Sequence, residues 1–305
     1  MEPILRSALL ALSRSRTACR AARRYGMKLG ASRFVAGESI EKAMAAVRAL
    51  NADGISATLD HLGESVTTEE EAREAAACCL QTLEAIRETG VDSHLSVKLT
   101  QLGLDLSPGL CEENMRRIVG LARSHRNFVR IDMEDYAHNE ATLDLFEKLH
   151  REFGSSVGLV LQSYLYKSEK DLVRLGRYGP NVRIVKGAYK ESPRVAFPRK
   201  ADVDRSYIRM VESHMRRGHY TAVATHDDAI IRHVKRFARS NGIPRDRFEF
   251  QMLFGIRTQE QLALAKQGYK VRVYVPFGVD WYGYFMRRLA ERPANVAFVL
   301  KSLFK

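Results

Sequence analysis

At 305 residues, with 45% hydrophobic and 28% charged side chains, the chain is long enough for a large α/β domain with a sizeable core. That composition excludes a disordered or fibrous polypeptide, and no apolar run approaches the length of a membrane-spanning helix. The net charge of +13 would suit a nucleic acid or an anionic membrane, but no RNA-recognition, zinc-finger or helix-turn-helix pattern accompanies it, so nucleic-acid binding is not expected.

Much of that charge is local. Arg6, Arg14, Arg16, Arg20, Arg23, Arg24, Lys28 and Arg33 stand against Glu2 alone. Mitochondrial transit peptides share this Arg-rich, acid-poor character, but Ile4, Leu5, Ala8, Leu9 and Leu12 also recur at helical spacing. Residues 1–50 are read as a basic N-terminal helical arm, with the catalytic domain over 51–305. Cys19, Cys78, Cys79 and Cys111 form no CxxC pair or zinc spacing, which suits a reducing compartment.

From Gly54 onward, short β-branched runs alternate with longer helical patterns. The runs are Ile55–Leu59, His94–Leu99, Phe128–Asp132, Val157–Gln162, Val182–Lys186, Thr221–Thr225, Phe248–Met252 and Val271–Val275. Between them lie the helical patterns Glu69–Glu88, Cys111–Ser124, Ala141–Phe153, Glu169–Tyr178, Asp202–Arg217, Ala229–Ser240 and Gln259–Gln267, and Tyr282–Glu291 follows the last run. Strict alternation implies parallel βαβ units, and continuous apolar strands imply a sheet covered on both faces. Eight repeats in roughly 250 residues fit a (β/α)8 TIM barrel better than an open doubly wound sheet. No G-x-G-x-x-G follows any run.

Active sites of such barrels lie at the C-terminal ends of the strands. Those ends carry Asp60 and His61, Lys98, Asp132 and Glu134, Gln162, Arg183 with Lys186 and Tyr189, Thr225-His226-Asp227, Gln251, and Tyr274. One polar strand end is an ordinary solvent-facing residue, but eight on one rim describe an active site. Lys98, Arg183, Lys186, Arg287 and Arg288 outweigh Asp132 and Glu134, so an anionic ligand is expected. Tyr189, Leu253, Tyr274 and Tyr284 suit a flat or hydrocarbon part of it. In the helix after the eighth strand, Tyr284, Arg287, Arg288 and Glu291 fall at i, i+3, i+4 and i+7 and share one face. Two guanidiniums beside a phenol make a receptor for a small carboxylate. Asp60, His61, Asp132 and His226 lack HxH, HExxH or EF-hand spacing, so no catalytic metal is expected. A Schiff-base aldolase using Lys98 or Lys186 is the rival on the same barrel.

Several motifs then converge on a family. Arg33-Phe-Val-Ala-Gly-Glu38, Ile131-Asp-Met-Glu134, Arg183-Ile-Val-Lys-Gly-Ala-Tyr189, Ala224-Thr-His226, Gln251-Met-Leu253 and Tyr284-Phe-Met-Arg-Arg-Leu-Ala-Glu291 occur in that order. From Arg33 to Phe304 the chain resembles the proline dehydrogenases in their short monofunctional bacterial form. The resemblance implies a distorted (β/α)8 barrel that holds FAD at its strand ends. It implies oxidation of L-proline to Δ1-pyrroline-5-carboxylate, the first step of proline catabolism to glutamate, with a quinone as electron acceptor.

By the same resemblance, Lys98, Arg287 and Arg288 would bind the proline carboxylate, while Tyr189, Leu253, Tyr274 and Tyr284 would enclose the ring. Glu291 would steady an arginine of this clamp. Met133, Gln162, Arg183, Lys186, Gly187, Ala188, Thr225 and His226 would contact FAD, with Arg183 near its N5 and O4 edge. Asp132 would belong to the polar network around Lys98 and the substrate amine, and Tyr274 would favour proline over 4-hydroxyproline. The short single-activity form implies a cytoplasmic enzyme whose basic arm can rest on the inner face of the membrane. It also implies transient transfer of product to a pyrroline-5-carboxylate dehydrogenase.

Overall fold

The computed structural model describes residues 30–63 and 66–291, with side chains as far as Leu289. Residues 1–29, which carry most of the expected arm, lie outside the described residues, as does the Glu291 side chain expected to steady the clamp.

Eight parallel strands close into one barrel in sequential order. They are β1 Ser56–His61, β2 Ser93–Val97, β3 Val129–Ile131, β4 Val157–Gln162, β5 Val182–Val185, β6 Thr221–Ala224, β7 Phe248–Leu253 and β8 Lys270–Phe277. The α-helices among the described residues are α1 Ile40–Ala52, α2 Glu69–Thr89, α3 Pro108–Ser124, α4 Asn139–Phe153, α5 Ser168–Leu175, α6 Lys200–Arg216, α7 Asp228–Ser240, α8 Thr258–Lys266 and α9 Trp281–Glu291. Every strand and helix expected from Gly54 onward is present, with ends that move by a few residues.

Local chemistry sets these elements. β4 is buried at every position, as a strand covered on both faces must be. At the start of α2 the Thr68 hydroxyl accepts from the Glu71 N–H, and the Glu71 carboxylate accepts from the Thr68 N–H. Ser107 caps α3, and Pro108 supplies a first helical position that needs no donor. Outward strand residues such as Leu59, Leu95, Ile131, Leu159 and Ile184 share one core with Leu83, Met115, Phe146 and Met210 of the helices. Each such side chain contributes about 1.5–3 kcal/mol on burial.

The inward faces differ. Thr58, Ser96, Arg130, Arg183, Glu249, Gln251 and Arg272 are all buried, and the two-residue period of a strand turns them into the lumen. The barrel is filled with polar groups bonded to one another.

α1 and α9 divide the labour at the seam between β8 and β1. α1 packs against both strands and delivers Ala43, Met44 and Val47 to the main core, filling the wall position open to an eighth outer helix. α9 lies elsewhere. Its Trp281, Tyr282, Tyr284, Phe285, Met286 and Leu289 form a separate cluster with Ala31, Phe34, Val35, Leu62, Leu253 and Ile256. Leu62 follows β1 and Leu253 ends β7, so α9 lies over the C-terminal rim of the barrel.

The Arg33–Glu38 segment fastens it there. Trp281 Nε1 donates to Glu38 at 2.8 Å, Ala36 N–H to the Pro276 carbonyl at 2.9 Å, and Gly278 N–H to the Gly37 carbonyl at 2.9 Å. Gly255 has φ 70°, and a Cβ there would lie 1.7 Å from the Arg33 carbonyl oxygen, so this approach of two backbones admits only glycine. Among the described residues no helix is long and apolar enough to cross a membrane.

Candidate active site

Lys98 leaves β2 beside Asp60 of β1 and Asp132 just beyond β3. Its Nζ donates to both Asp60 oxygens at 2.9 Å, to Asp132 Oδ2 at 3.4 Å and to the Tyr274 hydroxyl at 3.1 Å. The Tyr274 hydroxyl in turn donates to Asp132 Oδ2 at 2.8 Å. Arg183 donates through Nη1 to Asp132 Oδ1 at 2.7 Å, through Nε to Gln251 Oε1 at 2.6 Å and through Nη2 to Ser96 at 3.1 Å.

The Asp60 side chain is 2% exposed and that of Asp132 13%, so these charges are tolerable only because they are paired. Burial pulls the Lys98 ammonium down, but Asp60 and Asp132 outweigh it and hold the group above the ordinary lysine range. Burial raises the Asp60 carboxyl, with Lys98 opposing. Burial, then Asp132 and Asp60, push the Tyr274 phenol far up. Lys98 is therefore a lasting cation and Tyr274 a lasting donor. A Schiff-base nucleophile must be neutral, so Lys98 is unsuited to the rival aldolase chemistry.

The remaining substrate candidates lie after β5, at the end of β7 and on α9. Tyr189, beyond β5, is 42% exposed. Burial, then the Glu134 carboxylate, push its phenol up to about 12, with Lys98 opposing. On α9 the Arg288 guanidinium stands over the Tyr284 ring at 4.9 Å, and Leu253 packs against the cluster that buries Tyr284. Arg287 is exposed and Arg288 half-buried.

The expected cofactor residues occupy the β3–β6 side of the rim. Gln162 Nε2 donates to the carbonyls of Met133 at 3.1 Å and Glu134 at 2.5 Å. Two carbonyl acceptors fix which way the amide faces, and Gln162 Oε1 is left buried without a partner. Such an atom costs about 1–3 kcal/mol, and an N–H of a bound ligand would satisfy it. The buried Met133 sulfur accepts from Asn139 at 3.4 Å.

Gly187 has φ 117° and abuts the Tyr164 ring, 2.4 Å from where a Cβ would stand; Ala188 is exposed beyond it. Lys186 Nζ is 2.6 Å from Asp204 and 3.1 Å from Asp227. Thr225 Oγ1 accepts from the Asp227 N–H at 3.1 Å, and His226 Nε2 from the Leu253 N–H at 3.1 Å.

Sequence reading put Asp60 and Gln251 on the rim and Glu38 in a motif without their partners, and did not single out Ser96. Asp60 is the principal partner of Lys98, Ser96 and Gln251 hold Arg183, and Glu38 anchors Trp281. Ser96 and Gln251 carried a signal, since each sits on the lumen face of its strand.

The family profile described as "Proline dehydrogenase" matches residues 43–301. Over 302 residues the chain is 47% identical to Proline dehydrogenase 2 of Bacillus subtilis (strain 168), covering 99% of each chain. It is 48% identical over 279 residues to the Proline dehydrogenase of Deinococcus radiodurans, covering 90% of each. Among solved structures it is similar to proline utilization A (PutA) of Bdellovibrio bacteriovorus inactivated by N-propargylglycine, with TM-score 0.82 and 25% identity. That match takes in 88% of this chain and 33% of the longer PutA chain. Likeness of this extent, on a barrel whose mouth already gathers fixed cations beneath an arginine-bearing helix, shows that the chain belongs to the proline dehydrogenase family.

Proposed function

We propose that the protein oxidises L-proline to Δ1-pyrroline-5-carboxylate with FAD at the barrel mouth and passes the electrons to a quinone, opening proline catabolism to glutamate. What supports this reading is the seat of α9, the helix that carries Arg287 and Arg288, above a rim that presents Lys98, Asp132, Arg183 and Tyr274. The FAD held there would supply the hydride acceptor for the ring carbon.

Met133, Gln162, Arg183, Lys186, Gly187, Ala188, Thr225 and His226 would hold it. The partnerless Gln162 Oε1 offers an acceptor to an N–H of the isoalloxazine, and Arg183 offers a fixed cation for negative charge that builds on reduction.

The rest is positioning. Lys98, Arg287 and Arg288 bind the carboxylate and orient the ring, which turns binding into proximity. Tyr189, Leu253, Tyr274 and Tyr284 enclose the hydrocarbon part, and the aromatic cluster of α9 excludes water. Hydride leaves the carbon beside nitrogen only when the amine is neutral, so the amine proton passes to solvent before the carbon reacts. Asp132, bonded to Lys98, Arg183 and Tyr274, holds this network in register. Membrane contact through the basic arm and transfer of product to a pyrroline-5-carboxylate dehydrogenase belong to the same reading. The first rests on residues 1–29, whose deletion should then reduce liposome association.

The test is one absorption spectrum. The purified protein should show flavin absorbance that bleaches when proline is added anaerobically and returns on addition of a soluble quinone. A protein that takes up no FAD, or a flavin that proline leaves oxidised, overturns the reading.

A further inference from the structure

Arg183 is the cation that the proposed chemistry sets against the cofactor, and its supports continue down the lumen. Glu249 lies two residues before Gln251 in β7, so both face inward. The Glu249 carboxylate is 2% exposed. It accepts from Arg272 Nε at 3.1 Å on each oxygen and from the Tyr220 hydroxyl at 3.0 Å. Arg272 is itself anchored on the Ala57 carbonyl at 2.7 Å. Gln251 Nε2 donates to the same carboxylate, and Gln251 Oε1 accepts from Arg183 Nε at 2.6 Å.

The direction of that amide is not free. A carboxylate only accepts, so Glu249 draws the NH2 end of Gln251 toward itself and leaves the oxygen for Arg183. Arg183 only donates and so takes the Gln251 oxygen, but a neutral amide at position 249 would weaken the bond at the other end, and its NH2 would face the donors Arg272 and Tyr220. Stability alone gives little reason for such a cluster, because apolar residues of similar volume are often neutral or better at buried ion-pair sites.

We propose that Glu249, locked by Arg272 and Tyr220, is a positioning residue that acts through Gln251 to fix the Arg183 guanidinium and so sets the field Arg183 applies to the bound cofactor. The inference rests on the proposed flavin chemistry. It adds a determinant of redox tuning inside the barrel, below the substrate-binding residues.

The test compares wild-type protein with Glu249→Gln, measuring the reduction potential of the bound flavin, kcat, the proline KM and the thermal midpoint. The variant should show a more negative potential and a kcat lowered about tenfold, with KM within about twofold of wild type, because an electrostatic donor is misplaced while the carboxylate clamp is untouched. In the cofactor-free variant, a crystal structure should show Gln251 and the Arg183 guanidinium displaced from their wild-type positions. A lower thermal midpoint with an unchanged potential would mean that the network only stabilises the barrel, and the proposal falls. If Glu249→Gln does not fold, Tyr220→Phe decides, since it removes one bond to Glu249 and should shift the potential the same way by less. A wild-type protein that takes up no FAD would overturn the proposed function and this inference together. A wild-type flavin that proline bleaches, with potentials unchanged in the variants, would overturn the inference alone.

Discussion

The strand-borne half of the barrel mouth and the helix-borne half are held by different physics. Asp60, Lys98, Asp132, Arg183 and Tyr274 are bonded to one another at 2.7–3.4 Å, so every charge there has a partner before a ligand arrives. The α9 half rests on an apolar and aromatic cluster with Ala31, Phe34 and Val35, and on the bond between Trp281 and Glu38. The barrel thus supplies a rigid field. The helix supplies the arginines, and their position depends on a tether more than two hundred residues away in the chain.

The largest expected effect comes from breaking the strand half. Lys98→Met leaves the buried Asp60 without its ammonium and should cost about 3–5 kcal/mol of stability at neutral pH. Burial already raises the Asp60 carboxyl, and the variant removes the partner that opposes it. A carboxyl whose folded pKa lies above its unfolded value takes up a proton on folding, so stability rises as pH falls through the folded value. The loss should therefore shrink as pH falls from neutral toward the ordinary carboxyl range, as followed by urea unfolding. A loss that does not vary with pH would remove Asp60 from the explanation.

Breaking the helix half should change binding more than stability. Arg288→Met is expected to raise the proline KM by about tenfold or more, the scale of losing a charged contact, with little change in unfolding. An unchanged KM would leave the barrel as the whole carboxylate site. Glu38→Gln sharpens the contrast with a smaller effect. It converts the Trp281 bond to a neutral one, worth about 1 kcal/mol less. Amide exchange should quicken in α9 and residues 31–38 while the strands keep their protection. Faster exchange spread evenly over the barrel would deny that the two halves are held separately.

The barrel was legible in the sequence for a physical reason. Strands buried on both faces read as unbroken apolar runs, and a two-residue period places Lys98, Arg183 and Tyr274 on the lumen side at their ends. The partners were less legible. Asp60 stands 38 positions from Lys98, and Glu38 stands 243 from Trp281, and no local rule couples such pairs. The seat of α9 over the mouth follows from a competition, because α1 takes the wall beside β1 and β8, and helical periodicity does not report which helix wins. Glu249 and Arg272 did carry a signal, standing two residues before Gln251 and Tyr274 on the same faces of β7 and β8.

The central claim is that the two halves meet on one carboxylate. Its most direct test is a crystal structure of the protein with a saturated five-membered-ring carboxylate that cannot be oxidised. The carboxylate oxygens are expected within hydrogen-bond distance of Lys98 Nζ and of at least one of Arg287 and Arg288. A carboxylate held by the barrel alone, or bound away from the mouth, would contradict the claim.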